Sequence, residues 1–426
     1  MKRSGTESGV ACEDKYARDT YDASVLFDSI NGSLSWGQNE RPRSISVGPK
    51  GSVRMYDGGE DPSDGPGVAW DGPVENHVLQ GGNRDVGNVE YYQDFMKTFS
   101  DGVRVHVIHS MQRGGREENS WSTHGERCPI QSDELEDIED SIRKVAEGSN
   151  RVDGFLYFVE DTSAWGHVSK YLVEDGQEEY RGRSTYLFAT RPDMGLHEKS
   201  TDARHGLLQG LAVSQLSQIV DLYVPMQDSL GYLNRSQSQS HLYQTSLSNA
   251  MGIFGASMPF FKKQDRVEMH RVASHLTGRH HCPLVGLEMI FPTLNNKSVC
   301  FTDQSIRYGD DRNRIANFIS YLQHDDTLQV GDDMFQRTMS SSSSCGLPVL
   351  PPVSQLVPGI PPRDTQIPMI SVLGSTRSFA GTLDSTRNAL VKNASSPLLE
   401  SWGVSKEDIM ESAEILETMA DAIRTS

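Results

Sequence analysis

The chain has 426 residues and a formal net charge of −18 at pH 7, with 40 Lys and Arg against 58 Asp and Glu. An acidic excess of that size argues against nucleic acid or an anionic membrane as the main partner, because phosphates would be repelled. Length alone suggests roughly two to three domains, and an apolar share of about 42% with glycine included falls below the ~45–50% of a compact domain, so some segments should lie outside the core.

In chain order, residues 1–20 are polar and expected to be disordered. Asp-Gly, Gly-Pro and Gly-Gly pairs crowd positions 57–87 and signal loops, with short apolar stretches at 24–27, 45–47 and 68–70 as strand candidates. Residues 89–99 read as a short helix, and VRVHVIHS at 103–110 as a strand. Ser132–Glu147 carries a full set of helix signals. Ser132 is the candidate N-cap, acids fill the first turns, and Leu135, Ile138, Ile142 and Val145 form a stripe. Arg143 and Lys144 close the last turn and Gly148 ends it.

Residues 152–159 form a nearly continuous apolar run, as suits a strand covered on both faces. A helix over about 167–180 and a strand over 184–189 complete a strand–helix–strand unit long enough for a parallel crossover. Residues 207–223 read as a helix stopped by Pro225. Further helices are expected at 241–254, 268–276 and 314–323, and a buried strand at 284–291. Five consecutive serines (340–344) open a Pro-rich stretch, so 338–385 reads as a disordered linker. The tail, 386–426, regains helical spacing from Ser405 to Arg424 through Ile409, Ala413, Leu416, Met419 and Ile423.

The five cysteines, at positions 12, 128, 282, 300 and 345, include no CxxC pair and are too scattered for a disulfide scaffold. No secretory or transit signature is visible, and the longest uncharged run, 338–362, is too rich in Ser and Pro to span a bilayer. A soluble, intracellular chain is expected.

No P-loop, dinucleotide-binding GxGxxG, HExxH or GxSxG motif is present. His270, His275, His280, His281 and Cys282 have the right ligand chemistry for zinc, but spacings of five and five do not stack side chains on one helix face. A polar turn after a helix is the favoured reading, and no metal is expected. His324, Asp325 and Asp326 lack the further His and Asp ligands of a metal-dependent phosphohydrolase.

The informative segment follows the strand at 152–159. In a doubly wound sheet, ligands bind where a strand's carboxyl end meets a helix N-terminus. A phosphate-cradling loop there needs glycines, so that backbone N–H groups can approach closely. This chain has Glu160, Asp161, Thr162, Ser163, Ala164, Trp165 and Gly166. The position suits a nucleotide and the residues do not. An ordinary strand-to-helix turn, with Asp161, Thr162 or Ser163 as N-cap, is the plainer reading.

Residues 140–158 (DSIRKVAEGSNRVDGFLYF) resemble the tubulin segment that enters the strand before the glycine-rich signature, and Glu179-Tyr180-Arg181-Gly182 is similar to the end of the following helix. Four patches are similar to the Misato family of divergent tubulin-related proteins: ASVLFDS (23–29) with PRSISVGPKGSV (42–53), VEYYQDFMKTF (89–99), the strand–loop–helix over 152–182, and GLLQGLAVSQLSQIVDLYVPM (206–226). The likeness covers about residues 20–292.

The resemblance implies a tubulin/FtsZ-like α/β fold. Its parts would be a Rossmann-type parallel-sheet domain over 21–226 with a degenerate phosphate-loop position (Asp161, Thr162, Ser163, Gly166), and a smaller α+β second domain over 227–337. It implies a non-enzymatic role in mitochondrial distribution, morphology and inheritance, with no cofactor. The protein would be peripheral on the cytosolic side of the mitochondrial outer surface and in the cytoplasm, with cytoskeletal or chaperonin partners and no nucleic acid. Two departures stand out. The family's first hydrophobic strand and helix are not seen after Met1, so a truncated start is expected. Residues beyond about 292 match nothing in the family, so no catalytic acid carries over. Two alternatives stay open: a GTP-binding, polymerising tubulin-like cytoskeletal protein, and a soluble α/β adaptor without a mitochondrial role.

Overall fold

A computed structural model describes residues 27–29, 40–42, 45–50, 104–112, 130–149, 151–191, 203–227, 256–260, 266–278, 281–291, 297–300, 314–322, 338–343, 347–348, 366–367 and 369–426. The expected disordered start at 1–20, the strand at 68–70 and the helices at 89–99 and 241–254 lie outside them. The fold is mixed α/β, with parallel and antiparallel strands and several helices.

Strand β1 (Phe27–Ser29) pairs antiparallel with β2 (Glu40–Pro42), and β3 (Ile45–Lys50) pairs parallel with β4 (Arg104–Gln112). Helix α1 has the bounds its sequence signals predict, Ser132–Glu147, but its N-cap is Gln131 rather than Ser132. Gln131 and Glu134 form the reciprocal capping box, one residue earlier than the preference for Ser suggested. Ile138 is buried, and Leu135 and Ile142 pack with it against Val47 and Ile108 of the β3–β4 pair.

The centre of the amino-terminal half is a parallel sheet. Strand β5 (Gly154–Glu160), helix α2 (Ala164–Glu179), strand β6 (Ser184–Arg191), helix α3 (Ala203–Leu216) and strand β7 (Leu222–Gln227) alternate, and the sheet order is β5–β6–β7. Tyr186, Leu187, Phe188 and Ala189 of the central strand are all fully buried, which explains why its sequence lacks an apolar–polar alternation. Gly154 is required where β5 meets β6, because a Cβ there would stand 2.2 Å from the Ser184 carbonyl oxygen. The helix expected over 207–223 ends at Leu216 instead, and Leu222–Gln227 is a strand. Pro225 does not stop that helix; it sits in the terminal strand of this three-stranded sheet, where a missing N–H is tolerated.

After a short 3-10 turn (Met258–Phe260) come helix α4 (Met269–Thr277) and strands β8 (Gly286–Phe291), β9 (Lys297–Cys300), β10 (Arg314–Leu322), β11 (Thr338–Ser343), β12 (Leu347–Pro348), β13 (Gln366–Ile367) and β14 (Met369–Thr376). Five of them form a second sheet in the order β11–β10–β14–β8–β9, in which only β10–β11 is parallel. The helix expected over 314–323 is therefore strand β10. Phe318 points into one core cluster and Ile319 into another, so burial on both faces decides the conformation.

The expected linker at 338–385 is corrected at both ends. Strand β11 occupies its start, and β14 lies between β10 and β8 with Met369–Leu373 all buried. Helix α5 (Phe379–Lys392) begins before the linker's expected end. Ser and Gly in MISVLGST dilute its hydrophobicity, but hydrogen bonds to two neighbouring strands hold it in place.

Two short-loop helices complete the chain: α6 (Pro397–Trp402), N-capped by Ser396, and α7 (Lys406–Thr425), opened by a Ser405–Asp408 capping box. The apolar stripe of α7 is buried as its spacing predicts. Helices α5 and α7 pack on α3. There Gly210 lets Leu390 approach so closely that a Cβ would lie 2.2 Å from its Cγ. This terminal segment thus belongs to the core that also contains Leu187, Leu211 and Tyr223. A second cluster joins Phe188 and Val224 of the first sheet to Leu287, Phe318 and Leu373 of the second.

Candidate functional site

The segment at the carboxyl end of β5 is a tight turn that closes on itself. Asp161, Thr162 and Ser163 are all buried. Ser163 is the N-cap of α2: its Oγ accepts from the Trp165 N–H at 3.3 Å and donates to the Glu160 carbonyl at 3.1 Å. The Gly166 N–H donates to the Ser163 carbonyl at 3.1 Å, and Ser169 Oγ donates to the Gly166 carbonyl at 2.8 Å. Two N–H groups that a phosphate would need at this helix start are therefore bonded within the turn.

The Asp161 carboxylate accepts a hydrogen bond from the Tyr223 hydroxyl, and both residues are fully buried. Tyr223 lies on β7, the far strand of the parallel sheet, so this bond ties the turn after β5 across the sheet. The Tyr223 N–H donates to Pro283 O at 2.8 Å, and Val285 N–H donates to Tyr223 O at 3.0 Å. Trp165 packs among Ile108, Ile138 and Val168. Two residues further on, the buried His167 has its pKa pushed down to about 4 by desolvation, with Lys170 adding to the effect, so its ring is neutral near pH 7.

All four residues of the degenerate phosphate-loop position, Asp161, Thr162, Ser163 and Gly166, fall in this one turn. Ser163 caps the helix, Asp161 anchors to Tyr223, and Gly166 lies buried in the first turn of α2. The arrangement fastens a strand to a helix. Of its two acids, Asp161 is buried against Tyr223 and Glu160 is exposed, so the acid facing an incoming phosphate is Glu160.

Among the described residues, the His and Cys candidates do not converge. His270 is exposed, 3.7 Å from Glu268, whereas His275 Nε2 is 3.0 Å from the Asn317 carbonyl oxygen under α4. Cys282 is buried in the core with its thiol pKa pushed up to about 11 by burial, which disfavours the thiolate a metal would need. His280, His324, Asp325 and Asp326 lie outside the described residues. Among the described residues, no group of three or more His, Cys, Asp or Glu could hold a metal ion.

Sequence reasoning missed three polar partnerships. Tyr223 falls at the end of the helix expected over 207–223, yet it lies on strand β7. Asp153 receives Arg151 at 2.7 Å and Arg266 at 2.6 Å, joining the start of β5 to the segment before α4. Glu288 and Arg314 form a largely buried ion pair at 3.5 Å between β8 and β10. Only the last left a trace in the sequence, a lone acid inside the apolar run LVGLEMIF. No family model matches this chain, and no curated protein matches it at a significant level.

Proposed function

We propose that this chain is a Misato-type, tubulin/FtsZ-like protein that acts without enzymatic activity in mitochondrial distribution, morphology and inheritance. The four ordered sequence patches support the family reading. A three-stranded parallel sheet with crossover helices, followed by a five-stranded mixed sheet, is in keeping with a Rossmann-type domain and a second α+β domain. The observation that supports the non-enzymatic part is the turn at 160–166, where the Trp165 and Gly166 N–H groups are bonded within the turn and Asp161 is engaged by Tyr223.

The proposed location is the cytosolic side of the mitochondrial outer surface, together with the cytoplasm, and the proposed partners are cytoskeletal or chaperonin proteins. Attachment is proposed as peripheral; among the described residues no helix is long and apolar enough to cross a membrane.

Two experiments test this function. Calorimetric titration with GTP and Mg²⁺ should give a dissociation constant of about millimolar or weaker, a loss of ~4 kcal/mol relative to a micromolar site. A micromolar constant abolished by changing Thr162 or Gly166 would instead favour a GTP-binding cytoskeletal protein. In cells, the tagged chain should co-sediment with intact mitochondria, be stripped from them by salt or carbonate, and be digested by protease added outside. A tag found nowhere near mitochondria would leave the adaptor reading in its place.

A further inference from the structure

We draw no further inference here: the strongest candidate, the outer edge of β5 in the parallel sheet, where Phe158 is 52% exposed and no strand pairs with that edge among the described residues, carries nothing because nothing in the structure shows what covers it.

Discussion

Replacing Tyr223 by Phe removes one hydroxyl from a fully buried residue and leaves the ring in place. Little cavity is created, so the cost should come from the lost hydrogen bond to Asp161 rather than from packing. A hydrogen bond to a charged group contributes about 1.5–3 kcal/mol, and a carboxylate left in a dry interior adds a desolvation penalty. Tyr223→Phe should therefore lower the unfolding free energy by about 2 kcal/mol, read as a lower urea midpoint with an unchanged slope. Asp161→Ala should cost at least as much. The double variant should cost clearly less than the two single losses together, since both remove the same bond. A Tyr223→Phe change within about 0.5 kcal/mol of wild type, or strictly additive losses, would refute the view that this contact fastens the turn.

Three further outcomes follow from the packing. His167 is neutral in the fold with a pKa of about 4, against an ordinary value near 6.5, so the unfolded chain takes up its proton first as the pH drops. Stability should fall between about pH 6.5 and 4, by at most on the order of 3 kcal/mol from this group, and His167→Gln should flatten that part of a pH series of urea melts. Leu416, fully buried where α7 meets the core, should cost about 2–5 kcal/mol when cut to Ala; a loss below 1 kcal/mol would show that the terminal helix is an appendage. The amides of Met369–Thr376 should be among the slowest to exchange with deuterium, and rapid exchange there would return this segment to linker status.

What was legible in the sequence was whatever local signals decide. Helix α1 announced itself through periodicity and charge, and its bounds follow from those residues alone. The stripe from Ile409 to Ile423 did the same for α7. Strands β5 and β6 stood out as apolar runs on either side of a crossover. Elements that depend on distant partners were misread. The run RIANFISYL fits a helix as well as a strand until both of its faces are known to be covered, and MISVLGST looks like linker until β10 and β8 flank it. The apolar LYVPM continues the stripe of the preceding helix, so the break at Leu216 is not visible locally.

The same division holds at the candidate site. The shortage of glycine and the two acids could be read directly from residues 160–166. The partner of Asp161 could not, because Tyr223 lies 62 residues away and is brought to it only by the parallel pairing of β5, β6 and β7.

The proposed mitochondrial role is tested most directly by depleting the protein and imaging the mitochondrial network, with re-expression of the full chain as the control. Clumped or fragmented mitochondria, unevenly shared between daughter cells and restored by the re-expressed chain, are the predicted result. A network of normal shape and partition after verified depletion would contradict it.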